Sequence, residues 1–159
     1  MNTLDELFVR LREASTPTEI ETLQNGIWQI WLTTGNQVLD KHLEAGMRAL
    51  ASGNYTEAIA DFTLLIERQP AYAEGWNKRA TAYYLRGEYK SSLADVRETL
   101  RREPRHFGAL TGWASMLRTL ADNRGTLRIL LRLESLCPHW PGLQGQLREL
   151  RDLLGEEGE

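Results

Sequence analysis

The side chains that most often build catalytic or metal centres are scarce in this sequence, which has one cysteine and three histidines. Cys137 and His139 lie two positions apart, whereas His42 and His106 lie far from them and from each other. A zinc site needs Cys and His ligands at characteristic spacings, and a nucleophilic cysteine needs a base oriented towards it. Because neither pattern occurs, we predict that Cys137 is a small buried residue. We also predict that His42 is a packed histidine and that His106 and His139 lie in connections between helices.

Other catalytic signatures are equally weak. The pair Gly-Lys of a phosphate-binding loop does not occur. Carboxylates such as Asp61 and Glu98 fall on helical stretches where they are expected to face solvent, and no two of them suggest an acid–base pair. We predict a protein that is not an enzyme and that has no cofactor and no metal ion.

The charge distribution gives no case for a nucleic-acid partner, because the formal net charge is −3. The charge is nevertheless uneven, since residues 97–132 contain eight arginines against three acids. Solvated helix faces are the favoured interpretation of these arginines, and a patch for an acidic partner is the alternative.

The sequence also bears on where the protein is found. A single cysteine permits no intrachain disulfide bond. No apolar run approaches the length that spans a bilayer, so no membrane insertion is predicted. The first residues indicate an amphipathic helix rather than a signal peptide. We expect a cytoplasmic protein, or a periplasmic one if a presequence has been removed.

The elements that position these residues follow a fixed period. Pro70, Pro104 and Pro138 are 34 residues apart, in a chain with only five prolines. Each follows a stretch of helical periodicity, and a period of about 34 residues is typical of a repeated helix–turn–helix unit. Solenoids of such units present long surfaces, which favours binding over catalysis. The spacing predicts three helix pairs, in residues 39–72, 73–106 and 107–140.

Within the units, small and large residues recur at matching positions. The second unit has Trp76, Ala80 and Tyr83 in its first half, and the first unit has Ala58 and Phe62 in its second half. The chain therefore resembles the tetratricopeptide repeat family over residues 39–140, with the third unit as the loosest match.

The turn inside each unit supports the same frame. Gly53 and Gly87 stand at the helix–helix junction of the first two units, where glycine adopts a left-handed conformation that ends the helix. The third unit has Ala121 in the corresponding stretch. We expect the third turn to be strained or differently shaped.

The ends of the chain complete the predicted domain organisation. Residues 1–36 indicate a repeat-like helical hairpin, in which Trp28 and Trp31 are expected to pack against the first repeat. Three repeats are predicted in 37–140, and 141–159 indicate a capping helix with an acidic tail. Trp140 is expected to be exposed and suited to touching a partner. The resemblance implies an all-α fold, a right-handed solenoid of antiparallel helix pairs with about nine helices.

In proteins of this family the first helices of successive repeats line a concave groove that holds a peptide or a partner helix. Carrying those positions across predicts a partner-binding groove formed by Leu43, Met47, Asn77, Lys78, Thr81, Tyr84, Thr111, Ser115 and Arg118.

Two glycines, Gly108 and Gly112, also fall on the predicted groove face. Glycine inside a helix costs about 1 kcal/mol relative to alanine. Either a partner backbone approaches closely there, or crowding between helices requires the missing side chain.

Some family members bind chaperone C-termini through a clamp of lysine, asparagine and arginine. Of the corresponding positions only Lys78 has a suitable side chain, so we predict that this clamp is absent.

The function that the resemblance implies is non-enzymatic protein–protein interaction, as an adaptor, scaffold or assembly factor. The partner is a protein or peptide whose identity the sequence does not give. The alternative is a structural repeat protein that associates with other copies of itself.

Overall fold

The computed structural model describes residues 2–155, and in that range it contains nine α-helices and no strand. The all-α fold predicted from the sequence is confirmed. The helices are α1 (Thr3–Glu13), α2 (Pro17–Trp31), α3 (Gln37–Ala51), α4 (Tyr55–Arg68), α5 (Ala73–Leu85), α6 (Tyr89–Arg102), α7 (Phe107–Thr119), α8 (Asn123–Leu136) and α9 (Leu143–Leu154).

The helices keep the 34-residue register closely. Helices α4, α6 and α8 begin at Tyr55, Tyr89 and Asn123, each 34 residues after the one before. Helix α3 starts two residues ahead of this frame because Asn36 caps it, accepting hydrogen bonds from the backbone of Val38 and Leu39. The 34-residue period of the sequence is therefore also the interval at which the helices recur along the chain.

Small residues are needed where the two helices of a pair cross. A Cβ atom at Gly46 of α3 would lie 2.5 Å from the ring of Phe62 in α4. At the equivalent crossing of α5 and α6, the buried hydroxyl of Ser92 donates to the carbonyl of Ala80 at 2.7 Å. Close packing at this point fixes how each pair is assembled.

Contacts divide the chain into two compact units. The central unit comprises residues 31–109, and within it α3 packs on α4, α4 on α5, and α5 on α6. The terminal unit comprises the described parts of 1–30 and 110–159. The three-part domain division predicted from the sequence stays a prediction, and the acidic tail lies outside the described residues.

The terminal unit brings the two ends of the chain together. Helix α1 packs against α8, and α8 packs against α9. Phe8 and Leu11 of α1 are buried, as are Leu143 and Leu147 of α9. In a simple solenoid each repeat contacts only its neighbours, so the contact between α1 and α8 is a departure from that rule.

The third turn has the shape of the first two but uses an unfavourable residue. Gly53, Gly87 and Ala121 have φ angles of 78°, 79° and 57°. The hydrogen-bond pattern also matches, because the amide of each bonds to the carbonyl three residues earlier. Ala121 therefore adopts a left-handed conformation in which its Cβ is crowded, and the expected strain is present.

None of the nine described helices has both the length and the apolar character that a membrane-spanning segment requires.

Replacing Ala121 by glycine should stabilise the protein by about 1 kcal/mol, because the left-handed conformation costs an L-residue roughly that amount. Chemical denaturation of Ala121→Gly measures the change. Gly53→Ala is the matched control and should lower stability by about the same amount. If Ala121→Gly destabilises the protein, the turn is not strained.

Candidate functional site

The groove residues predicted in the first repeat belong mainly to its core. The side chain of Leu43 is 2% exposed and belongs to the cluster that contains Phe62 and Leu65. Met47 is half-buried and packs against the same cluster. Leu43 is therefore not part of an exposed groove, because α3 turns this side chain towards α4.

The predicted residues of the second repeat surround a buried carboxylate. Glu74, in the first turn of α5, is 1% exposed and Asn77 is 6% exposed. The Asn77 amide donates to Glu74 Oε1 at 2.9 Å, and the Lys78 ammonium lies 3.5 Å from the same oxygen. A buried charge requires such partners. Asn77 and Lys78 are thus engaged by Glu74, and Asn77 is not exposed to a ligand.

His106 completes this polar cluster from the connection before α7. Its Nδ1 accepts a hydrogen bond from the backbone N–H of Ala109 at 3.0 Å, so that nitrogen has no proton. The proton must be on Nε2, which donates to Glu74 Oε2 at 2.6 Å. The ring is fully buried. His106 is therefore a neutral structural histidine that joins the starts of α5 and α7.

Trp31 stacks on this histidine, a contact that was not predicted, while its expected packing against the first repeat stays a prediction. Its ring centroid lies 4.1 Å from that of His106 with the planes 10° apart, and 4.9 Å from that of Phe107. Its carbonyl accepts a hydrogen bond from the hydroxyl of Tyr72. Burial and the charges of Glu74 and Asp40 raise the pKa of Tyr72, which keeps that hydroxyl protonated.

The remaining predicted groove residues of the central unit are half-buried. The hydroxyl of Thr81 donates to the carbonyl of Asn77 at 3.2 Å. The ring of Tyr84 lies 5.5 Å from that of Tyr89. The place of Thr81 and Tyr84 in a partner-binding groove stays a prediction.

The three residues predicted in the third repeat do lie together, in the terminal unit. Thr111, Ser115 and Arg118 line one side of a cavity of about 190 Å³. Its other walls come from α8, from the connection that follows it, and from α9. The complete lining is Thr111, Ala114, Ser115, Arg118, Leu130, Leu133, Trp140, Leu143 and Gln146.

This cavity combines an apolar wall with a charged edge. Leu130, Leu133 and Leu143 are buried, whereas Ser115 and Arg118 are exposed. A guanidinium nitrogen of Arg118 donates to the side-chain oxygen of Gln146 at 2.9 Å. Among the lining residues Arg118 is the only one with a charge. The geometry suits a ligand that joins an apolar group to a hydrogen-bond acceptor.

Two contributors to the cavity were not identified from the sequence. Leu143 and Gln146 lie on the capping helix, whose leucine stripe predicts burial but not the neighbour it packs against. Trp140 was expected to be exposed and is half-buried in the cavity wall. A tertiary contact between a cap and the preceding repeat has no local sequence signal.

Gly112 lies in α7 between two lining residues. A Cβ atom built on it would meet nothing within 4 Å. Crowding between helices therefore does not explain this glycine, and the close approach of a partner backbone stays a prediction.

The arginines of the segment 97–132 fall into two groups. In the central unit, Arg101 and Arg102 pair with Glu98 at 2.6 and 2.5 Å. In the terminal unit, Arg124 and Arg128 of α8 are exposed and have no ion pair within the described chain. Arg102 is only 17% exposed, so it is not simply a solvated charge, and the interpretation of the exposed arginines as solvated helix faces stays a prediction.

The described part of the chain contains the cysteine and all three histidines. No group of three or more His, Cys, Asp or Glu side chains there could hold a metal ion. Cys137 is buried, as predicted, and burial raises the pKa of its thiol. His42 Nδ1 lies 3.4 Å from Asp61 Oδ1, and the side chain is 39% exposed, so this histidine is less packed than predicted.

Helix pairs in a constant 34-residue register, with close small-residue crossings, define an α-helical repeat protein. No family model matches the chain. A TPR repeat-containing protein of Rhizobium etli is 30% identical over 151 residues, which cover 95% of this chain and 74% of that relative. The chain belongs to the tetratricopeptide repeat family.

Two further comparisons are consistent with this family assignment. Human DnaJ homolog subfamily C member 3 is 29% identical over 66 residues, which cover 42% of this chain and 13% of that protein. The crystal structure of the Sgt2 TPR domain from Aspergillus fumigatus superposes with a TM-score of 0.63 at 19% identity, over 76% of this chain and 82% of that domain. The structural likeness concerns the fold. In general terms, the fold is that of a protein–protein interaction module.

Truncation of the buried histidine should destabilise the protein strongly. His106→Ala removes a donor from the buried Glu74 carboxylate and the stacking partner of Trp31, and we expect a loss of about 3 kcal/mol in unfolding free energy. His139→Ala, at an exposed histidine, should change stability by less than about 0.5 kcal/mol. Urea denaturation compares them, and equal effects would contradict the structural role of His106.

Cys137 should resist alkylation in the folded protein. Because burial raises its thiol pKa, little reactive thiolate is present at pH 8, and the reagent has no access. Mass spectrometry after iodoacetamide treatment should show labelling only when denaturant is added. Labelling of the native protein at the rate of the unfolded chain would contradict this assignment.

Proposed function

We propose that the protein is a non-enzymatic recognition module, an adaptor, scaffold or assembly factor, that binds a peptide segment of a partner protein at its last repeat. The observation that supports this is the cavity lined by Thr111, Ser115 and Arg118, where three residues predicted from the family's groove meet Trp140 of the connection between α8 and α9. Tryptophan and arginine are the residues most enriched at positions that dominate binding energy.

The cavity chemistry favours a particular kind of peptide. Arg118 uses one donor on Gln146, and a guanidinium has five. The remaining donors suit a carboxylate, which arginine binds with a planar pair of hydrogen bonds. The leucines of α8 and α9 suit an adjacent apolar side chain. We therefore propose a partner segment in which an acidic residue lies next to an apolar one.

Recognition through the upstream part of the predicted groove has less support. Leu43 and Asn77 are buried, and the Lys78 ammonium lies against Glu74. A lysine already paired inside the protein is a poor anchor for a chaperone C-terminus. The absence of the carboxylate clamp stays a prediction, which this pairing favours.

Self-association was the alternative function, with the N-terminal hairpin as one contact surface. Most of the large apolar residues of that hairpin are used inside the protein, since Phe8, Leu11, Ile20 and Ile27 are buried, whereas Val9 and Ile30 are exposed. Association of copies through the hairpin would require these residues to leave their present neighbours. We therefore favour a different protein as the partner.

The test begins with selection of binding peptides from a random display library. We expect the selected sequences to share an acidic residue beside an apolar one. Fluorescence anisotropy then compares their affinities for the wild type and for Arg118→Ala. Loss of a charge-assisted hydrogen bond should weaken binding by about tenfold or more.

Arg128→Ala is the matched control, because it removes an exposed arginine of the same unit that does not line the cavity. It should leave affinity within about twofold. Trp140→Ala should weaken binding as Arg118→Ala does. Peptides without acidic residues, or equal losses for Arg118→Ala and Arg128→Ala, would contradict the proposed site.

A further inference from the structure

A second cavity, in the central unit, is opened by a difference between the first two repeats. It lies between the start of α3 and the end of α4 and has a volume of about 350 Å³, within the size range of small-ligand pockets. Its lining residues are Asn36, Val38, Leu39, His42, Leu64, Arg68 and Gln69.

The repeat register gives each lining residue an equivalent in the second repeat, 34 positions later. His42 corresponds to Trp76, Arg68 to Arg102, and Leu64 to Glu98. Because α4 and α6 keep this register along their whole length, the comparison between the two places is direct.

In the second repeat the place is filled by the repeat's own tryptophan. The indole nitrogen of Trp76 donates to the carbonyl of Pro70 at 3.0 Å. The guanidinium carbon of Arg102 lies 4.4 Å from the centre of the Trp76 ring, which is a cation–π contact. Glu98 pairs with Arg102 and holds it there. An aromatic ring beneath an arginine thus fills this position in the second repeat.

In the first repeat no tryptophan ring fills the equivalent place, but the arginine that would lie over it is present. His42 has a smaller side chain than tryptophan and lies beside Asp61 at 3.4 Å. Arg68 is exposed and has no ion-pair partner among the described residues, because Leu64 stands where Glu98 would hold it. Val38, at the rim, is 64% exposed. The result is an open slot that has apolar walls from Val38, Leu39 and Leu64 and polar residues around them, with an available guanidinium at its edge.

We propose that this slot binds an aromatic side chain of a protein partner, whose ring takes the place that Trp76 occupies in the second repeat and lies beneath Arg68. The apolar walls from Val38, Leu39 and Leu64 bury the ring. Arg68 adds the cation–π contact that Arg102 makes with Trp76. This second contact point is independent of the cavity in the terminal unit. An experiment can therefore refute one of the two proposals without refuting the other.

The test uses N-acetyl-L-tryptophanamide as the probe and His42→Trp as the decisive variant. Chemical-shift titration of the wild type should show saturable binding, with shifts centred on Leu39 and Leu64. In His42→Trp the protein's own indole fills the slot, so binding should be lost and the midpoint of thermal unfolding should rise. Arg68→Gln, which keeps the slot open, should weaken binding several-fold.

His139→Trp is the control, since it adds an indole at an exposed site elsewhere and should bind the probe as the wild type does. If His42→Trp fails to fold, Val38→Lys replaces an exposed rim residue and should itself abolish binding. N-acetyl-L-leucinamide should bind at least fivefold more weakly. Undiminished binding by the folded His42→Trp or by Val38→Lys, or equal affinity for the leucine probe, would overturn the proposal.

Discussion

Close crossing of the two helices in the first two pairs, α3 with α4 and α5 with α6, is the constraint on which the rest of this structure depends. Gly46 leaves no room for a Cβ against Phe62, and Ser92 reaches the carbonyl of Ala80 across the same crossing in the next pair. Because the crossing is fixed, the register of 34 residues is fixed with it. Exposed positions of a repeat can then differ from one repeat to the next, which changes the surface while the buried crossing stays the same.

The buried polar cluster shows what such a change can do inside the protein. Glu74 takes hydrogen bonds from Asn77 and His106 and lies near Lys78, so its burial is compensated. A buried carboxylate of this kind adds little net stability compared with an apolar pair, but it penalises any arrangement that separates its partners. The cluster around Glu74 therefore specifies the path of the chain just before α7. The stack of Trp31 on His106 depends on the same arrangement.

The helices and their 34-residue recurrence could be predicted from the sequence because both follow local rules: periodicity, turn glycines and small residues at crossings. The exposure of individual side chains was harder to predict than the helices. Leu43 and Asn77 occupy helix positions that face the groove in the family, yet here both are buried. The stacking of Trp31 and the packing of α1 on α8 depend on residues more than 70 positions away, for which a single sequence contains no local signal.

The two proposed contact points arise where the repeat departs from its own pattern. In the first repeat, histidine replaces tryptophan at position 42 and leaves a slot with its arginine in place. In the third, a single capping helix closes the stack, so Trp140 and Gln146 meet α7 and enclose a cavity. A regular repeat fills such places with its own side chains, as Trp76 does under Arg102. Specificity in this protein should therefore be sought at the irregular positions, since the regular ones are already occupied by the fold.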